Sequence, residues 1–231
     1  MVAGNPKKNN QVLLIYYSYS GQTGVLINRL ATGLKDKGVE VFFEKLKPVK
    51  HLRFPVGSIF RTYILMLTTF FRKRFKIQEI SSKCSREYDL IILAGPTWSY
   101  NPSGPMLAFL DSYGKDVLEG REVLPLISCR GYWKAHWWGL RKKLAKCGAV
   151  YSNMIVFSHP NPEPWRTIGV FLKIAGKNPE RSGFLGNYYK RFGHSTAQME
   201  EAYNFGLQIG EALKGDVQLA AINFQTDLAL P

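Results

Sequence analysis

Acidic residues are scarce in this sequence. Its 231 residues include 17 Asp and Glu against 31 Lys and Arg, which gives a formal net charge of +14 at pH 7. A surface of this sign attracts anions, whether a polyanion, an anionic membrane or an anionic small molecule, and composition alone does not choose among them.

Cysteine is also rare. The three cysteines, Cys84, Cys129 and Cys147, are too few and too widely spaced for a disulfide framework or a zinc site. A reducing compartment follows as the simplest expectation, which makes the protein cytoplasmic, and we expect no metal.

Long hydrophobic runs are missing. The most apolar internal stretch, TYILMLTTFF at 62–71, has ten residues, whereas a helix needs roughly 20 to span a bilayer. The first ten residues are polar and lack a cleavage site of the secretory type. We therefore expect a soluble protein, one that would meet a membrane only peripherally, at its inner face.

Strand-like and helix-like runs alternate along the chain. The strand-like runs are 11–17, 39–46, 88–95, 122–129 and 149–158, and the helix-like runs are 24–38, 106–114, 134–148 and about 195–214. This alternation predicts a single α/β domain over 1–231 with a doubly wound, five-stranded parallel sheet. Two segments, about 47–87 and 159–193, are too long for ordinary connections and are predicted to be functional insertions after the second and fifth strands.

Three hydroxyl side chains follow the first strand. In SYSGQT, Ser18, Ser20 and Thr23 surround Gly21 just before a helical pattern begins. Ligands of open parallel sheets bind at the carboxyl ends of the strands, and the start of a helix attracts anions. The loop is therefore predicted to bind a phosphate; the alternative is an ordinary helix N-cap, where Ser and Thr are common.

Two further loops leave strand ends, at 96–105 and 128–135. Together with the first loop, AGPTWSYNPSGPMLAFLD at 94–111 resembles the flavodoxin-like family, and the resemblance covers about 11–158 plus the final helix. It implies the strand order 2-1-3-4-5 and FMN as the cofactor. By this resemblance the cofactor-binding residues are Ser18, Tyr19, Ser20, Gly21, Gln22, Thr23, Pro96, Thr97, Trp98, Ser99, Tyr100, Ser128, Cys129, Arg130 and Gly131.

Two residues are predicted to be catalytic. Arg130 places a cation in the third loop, where acidic flavodoxins are usually neutral or negative, and this suits hydride transfer better than one-electron transfer. His159 follows the fifth strand and would touch substrate or donate a proton, with a structural hydrogen bond as the alternative. Trp98 would contact the flavin or pack the loop, and Cys129 is a redox thiol or a small buried side chain.

A narrower resemblance concerns three short motifs. CRGYW, HPNPEP and FLKIAGKNP resemble a flavodoxin-like subfamily associated with dialkylresorcinol biosynthesis. That resemblance implies aromatisation of an alkylated cyclohexanedione-type lipid. Both insertions would then supply an apolar wall for the substrate.

Residues 45–78 contain nine Lys and Arg and no acidic residue, interleaved with aromatics. If 57–75 is helical, this segment is a basic helix with a broad apolar face, which suits an anionic bilayer. The residues predicted to contact membrane or lipid are Phe70, Phe71, Arg72, Lys73 and Arg74. The alternative is an ordinary crossover helix whose apolar face lies on the sheet.

These observations favour an FMN-dependent oxidoreductase that transfers two electrons as hydride. The donor would be NAD(P)H or the substrate itself, and the partner a small hydrophobic, quinone-like or lipid-like ring. The second interpretation is a flavodoxin-type electron carrier, although such carriers are typically acidic and this chain is basic. A basic module binding nucleic acid or a membrane surface is a distant third; no motif supports nucleic acid as a partner, and a homodimer is left open.

Overall fold

The computed structural model of the protein describes residues 10–215 and 218–229. In these residues the main sheet has five parallel strands in the order β2-β1-β3-β5-β6. Their bounds are β1 Gln11–Tyr16, β2 Glu40–Lys45, β3 Leu90–Trp98, β5 Val123–Cys129 and β6 Ile155–Ser158, and the two-residue strand β4 Asn101–Pro102 pairs antiparallel with the end of β3. With β4 set aside, this is the predicted order 2-1-3-4-5, and the predicted fold class is confirmed.

Seven α-helices accompany these strands in the described part of the chain. They are α1 Gln22–Asp36, α2 Ile59–Phe70, α3 Gly104–Ser112, α4 Gly114–Leu118, α5 Trp133–Lys146, α6 Trp165–Ile174 and α7 Thr196–Lys214. Helices α1 and α7 cover one face of the sheet, and α3, α4 and α5 cover the other. The central strands are apolar throughout because they are buried on both faces: Leu14 packs on the α1 side and Leu13 on the opposite side.

Helices α1 and α7 cross closely at two glycines. A Cβ on Gly33 would lie 2.2 Å from the carbonyl oxygen of Tyr203, and a Cβ on Gly206 would lie 2.1 Å from that of Leu30. Only glycine permits this approach. The crossing fixes α1, and with it the loop at the end of β1, against the last helix of the domain.

The first long insertion forms α2, and this helix does not cover the sheet. The side chains of this insertion that are fully buried in the core, Ile77 and Cys84, come from its later part, after α2. In α2 itself only Thr62 and Thr69 are buried. The alternative of an ordinary crossover helix is therefore wrong for α2, which lies near α6 and the end of β3.

Candidate functional site

The loop after β1 opens helix α1 without a conventional N-cap. Gly21 occupies the cap position with a φ of 87°. As a glycine it has no side chain that could bond to the first N–H groups of the helix. Ser18 takes over part of that role, since its Oγ accepts a hydrogen bond from the backbone N–H of Gly24 at 3.1 Å. The capping alternative thus describes Ser18 but not the other two hydroxyls.

Ser20 and Thr23 are available as donors. Neither side chain makes a hydrogen bond to residues 10–215 or 218–229, although Thr23 is only 2% exposed. A Cβ on Gly21 would meet no atom within 4 Å, so open space lies against the loop. Since the first N–H groups of a helix also lack intrahelical partners, the loop has the donor set that a phosphate requires.

Gln22 reaches across to the chain before α7. Its Oε1 accepts a hydrogen bond from the backbone N–H of His194 at 3.2 Å, so its amide NH₂ is the part left to face a ligand. A Cβ on Gly193, which has a φ of 92°, would lie 2.0 Å from the same Oε1. The segment around Gly193 therefore closes one side of the loop after β1.

The second loop is built around Trp98. Its ring meets those of Tyr17, Tyr19 and Phe75 edge to face, with centroids 5.6, 5.2 and 5.8 Å away. Both alternatives for this residue are therefore compatible with its position: it packs the loop and it also lines the site. The chain then turns through positive φ at Ser99 (44°) and Tyr100 (69°) before β4.

Thr97 is oriented by a buried histidine. Its Oγ1 lies 2.7 Å from Nδ1 of His136. Burial lowers the pKa of His136 to about 3, so the ring is neutral at neutral pH. No ligand-like spacing in the sequence assigns His136 a role, and the structure shows it as a support for the second loop.

A second histidine orients the third loop. Ser128 Oγ lies 2.8 Å from Nε2 of His194, whose Nδ1 lies 3.3 Å from Oε1 of Gln198. Burial lowers the pKa of His194 to about 4, so the ring is neutral with one proton. Since the Gln198 oxygen can only accept, that proton sits on Nδ1, and Ser128 donates to Nε2 and keeps its oxygen free to accept.

Cys129 is a buried thiol at the end of β5. Its Sγ lies 3.3 Å from Oγ of Ser158, and burial raises its pKa to about 11. A thiol in this environment stays protonated at neutral pH. The structure thus favours the small buried side chain over the redox thiol.

Arg130 brings to the site a cation with one unpartnered nitrogen. Its Nε is buried and has no hydrogen-bond partner in the part of the chain that the structure describes. A second guanidinium is close to this loop, because a Cβ on Gly131 would lie 2.4 Å from a terminal nitrogen of Arg166. Arg166 also donates to the backbone oxygen of His159 at 3.2 Å and pairs with Glu163. Sequence reasoning did not find Arg166.

His159 lies in the wall of the site and is held in a fixed position. The backbone N–H of Gly193 donates to its Nε2 at 3.1 Å, and the N–H of Asn161 approaches Nδ1 at 3.4 Å. Its ring stacks on that of Tyr189 with centroids 5.5 Å apart. Burial, with lesser contributions from nearby cations, lowers its pKa to about 3. This environment favours the structural alternative over a proton donor for His159.

The three loops meet in one cavity at the carboxyl ends of the strands. Predicted residues that line it are Tyr19, Ser20, Gln22, Thr23, Pro96, Thr97, Trp98, Ser128, Cys129, Arg130 and His159. Phe54, Val170, Ile174, Phe192, Gly193 and His194 complete its wall. Ser18, Gly21 and Gly131 belong to the same loops but do not line this cavity.

A second cavity adjoins the first. The two share Tyr19, Thr97, Trp98, Arg130, Val170 and Ile174. The second continues between α2 and α6, where Leu65, Met66, Thr69, Ser99, Tyr100, Tyr132 and Phe171 line it. Its wall is mostly apolar, and both long insertions contribute to it. No periodicity in the sequence signals which side chains of the insertions would face the strand ends.

Comparison with solved structures finds the same fold in flavoproteins. A flavoprotein from Lactobacillus acidophilus NCFM, solved in complex with FMN, is 23% identical, with a TM-score of 0.51 over 64% of this chain and 93% of that one. A protein from Bacteroides eggerthii DSM 20697 that is described as a flavoprotein is 14% identical, with a TM-score of 0.51 over 74% of this chain and 100% of that one. Rubredoxin oxygen:oxidoreductase from Desulfovibrio gigas is 12% identical, with a TM-score of 0.50 over 90% of this chain and 37% of that one.

At these identities the likeness concerns the fold. The strand order of the sheet and the likeness to these solved structures together define an α/β protein with the flavodoxin-like fold. No protein-family model matches the chain, and no curated protein matches it.

Among the described residues, no helix has the length and apolar character needed to cross a bilayer. The same residues include no cluster of His, Cys, Asp and Glu side chains placed to hold a metal ion.

Proposed function

We propose that this protein is an FMN-dependent oxidoreductase that transfers two electrons to or from a small hydrophobic ring compound. FMN, when bound, supplies a centre that accepts and releases hydride. The residues present fit this cofactor: the hydroxyls and free N–H groups after β1 suit a phosphate, and the cavity beside them has aromatic walls and an unpartnered buried guanidinium nitrogen.

Each loop would have a distinct task. Ser20, Thr23 and the amide NH₂ of Gln22 would hold the phosphate. Trp98 and Tyr19 would exclude water from one side of the ring system. Ser128, fixed by His194, would offer its oxygen as a hydrogen-bond acceptor.

Arg130 would stabilise the negative charge that two-electron reduction adds to the site. Arg130 lines both cavities, so it also lies beside the place that a substrate carbonyl would occupy. A cation at that position favours hydride chemistry over one-electron transfer, because it stabilises charge in the doubly reduced form. Arg166, close to Gly131, would add to the same positive potential.

The observation that carries this proposal is the second cavity. An electron carrier needs only an exposed cofactor edge and a docking surface, whereas here α2 and α6 build an apolar space that adjoins the cofactor cavity through Trp98 and Arg130. That space suits a quinone or a lipid-like ring, including the alkylated cyclohexanedione implied by the narrower resemblance. The hydride would come from NAD(P)H when the ring is reduced, and from the ring itself when it is aromatised.

The first test is titration of the purified protein with FMN and, in parallel, with riboflavin, followed by visible absorbance and flavin fluorescence. We expect FMN to bind more tightly, because riboflavin has no phosphate for the loop after β1. Equal affinities would remove the phosphate site, and no binding of either would overturn the proposal.

The second test separates the oxidoreductase from the carrier. The FMN-loaded protein is reduced stepwise without oxygen and then mixed with a short-chain quinone. We expect one two-electron step in the reductive titration and rapid reoxidation by the quinone, with NADH and NADPH compared as donors. Two resolved one-electron steps and no reaction with quinones would support the carrier instead.

A further inference from the structure

Helix α2 is apolar on two faces. Leu65, Met66 and Thr69 point into the second cavity, spaced as one side of a helix. Phe60, Tyr63, Ile64, Leu67 and Phe70 recur with the same helical period, and all are exposed. A helix that is apolar all round is normally buried all round, so its outer face requires a partner.

The exposed face is large and rich in aromatic rings. Phe60 is 72% exposed and Phe71, directly after the helix, is 73% exposed. The patch continues through ring contacts from Phe70 to Tyr100 at 6.5 Å, and from Tyr100 to Tyr132 at 5.1 Å. Phenylalanine and tyrosine side chains in such numbers suit the boundary between headgroups and acyl chains.

This exposure belongs to a helix that is firmly held. Ser99 Oγ lies 2.9 Å from Thr69 Oγ1 and donates to the carbonyl oxygen of Met66 at 2.8 Å. Asn101 Nδ2 donates to the carbonyl oxygen of Phe70 at 3.1 Å. The inner face of α2 is therefore tied to the second loop, and the outer face is presented in a fixed orientation.

The charge around the patch indicates what kind of surface would cover it. Residues 45–78 contain no acidic side chain, and Arg61 and Lys73 are exposed beside the apolar face. Arg72 and Arg74 serve the fold instead, since Arg72 bonds to Asn101 and Arg74 pairs with Asp111. Pairing with a second copy of this chain would bring like charges together, whereas an anionic surface would be attracted.

We propose that the outer face of α2 docks on an anionic lipid bilayer. Docking would bury Phe60, Phe71 and their neighbours among the headgroups and upper acyl chains, with Arg61 and Lys73 at the level of the lipid phosphates. Because the same helix lines the second cavity, an apolar compound would pass from the bilayer to that cavity along α2. The docking itself does not depend on FMN.

The test measures partition of the full chain onto vesicles of phosphatidylcholine, with and without phosphatidylserine, by co-sedimentation. We expect binding only to vesicles that contain phosphatidylserine, and weaker binding as salt increases. The double variant Phe60→Gln/Phe71→Gln is expected to lower the partition coefficient on the order of 100-fold. Arg61→Gln/Lys73→Gln is expected to lower it about fivefold for each charge removed.

Two control variants change similar side chains elsewhere. Val150→Gln replaces an apolar residue that is 55% exposed; it lies between α5 and β6 and bridges to Glu122 at the amino end of β5. Lys115→Gln removes an exposed charge on α4. Both are expected to bind vesicles like the unmodified protein. FMN titration of all variants keeps this result separate from the proposed function, since failure to dock with intact FMN affinity would overturn only the docking.

Three outcomes would overturn the docking proposal. The first is no binding of the unmodified protein to phosphatidylserine vesicles. The second is unchanged binding by Phe60→Gln/Phe71→Gln. The third is a dimer, seen by sedimentation equilibrium, that the same double variant converts to a monomer while vesicles have no effect; the patch would then be an interface between two copies.

Discussion

Replacing Thr23 by valine tests whether the Thr23 hydroxyl binds the cofactor or stabilises the fold. The substitution keeps the branched shape at a position that is only 2% exposed and removes one hydroxyl. Because that hydroxyl has no hydrogen-bond partner among the described residues, the free energy of unfolding of the cofactor-free protein should change by less than about 1 kcal/mol.

The effect on FMN binding should be much larger. A hydrogen bond to a charged group contributes about 1.5–3 kcal/mol. At 1.4 kcal/mol for each factor of ten, Thr23→Val should raise the dissociation constant for FMN about 10- to 150-fold. The affinity for riboflavin should stay the same, because riboflavin offers no phosphate to that position.

Fluorescence titration with both flavins and urea denaturation of the cofactor-free protein measure these quantities. Thr32→Val is a control on the same helix, since within the described part of the chain the Thr32 hydroxyl bonds only to the carbonyl oxygen of Asn28, away from the loop. If Thr23→Val leaves FMN affinity unchanged and lowers the free energy of unfolding, the hydroxyl serves the fold and the phosphate assignment fails.

Three further predictions concern stability and redox behaviour. Burial lowers the pKa of His136 and His159 to about 3 and that of His194 to about 4, whereas unfolded histidine titrates near 6.5. The unfolded chain therefore binds the extra protons, and the free energy of unfolding should fall below pH 6.5 by up to about 1.4 kcal/mol per pH unit for each ring; equal urea midpoints at pH 7 and 4.5 would contradict this. Gly206→Ala should lower the free energy of unfolding by about 1–3 kcal/mol because α1 must move away, and an unchanged melting temperature would refute the close crossing. Arg130→Met should make the reduction potential of the FMN-loaded protein more negative, on the order of 30 mV, and a potential that does not move in a dye-linked titration would remove the charge argument.

The strands of the main sheet could be predicted because a strand that is buried on both faces has a continuously apolar sequence. Runs such as Val12–Ile15 and Leu90–Ala94 are continuously apolar, and their order follows from the resemblance of the loops. The last strand was predicted from residue 149, but β6 begins at Ile155. The residues just before it belong to no strand, and Val150 makes only an isolated bridge with Glu122.

The position of α2 could not be predicted, because its apolar residues occupy both sides of the helix. Periodicity indicates which residues share a face but not which face meets the protein. The insertion contributes Ile77 and Cys84 to the core beneath α3, α4 and α5 instead, and these two residues lie in a stretch whose sequence has no helical periodicity. The exposure of Phe70, Phe71 and Lys73 agrees with the predicted surface role, which stays a prediction, while Arg72 bonds to Asn101 and Arg74 pairs with Asp111.

Much of the site depends on contacts between distant parts of the chain. Ser128 and His194 are 66 residues apart, and neither position alone carries a signal of the pair. Arg166 reaches Gly131 from the second insertion. That insertion is rich in Pro, Gly and aromatic residues, and its sequence has no pattern that indicates a contact with the third loop. Sequence patterns locate the loops at the strand ends; they do not show which insertion residues close over them.

The hydrogen bond between Gln22 and the backbone of His194 also sets an order of assembly during synthesis. The two residues are 172 positions apart, so at ribosomal rates the second follows the first by roughly 10–30 s. Strands β1, β2 and β3 can pair while the remainder is still being made, but the loop after β1 lacks its neighbouring wall until the segment around His194 emerges. A nascent chain therefore acquires its first three strands well before it acquires the closed cavity, and the FMN of the proposed function would bind last.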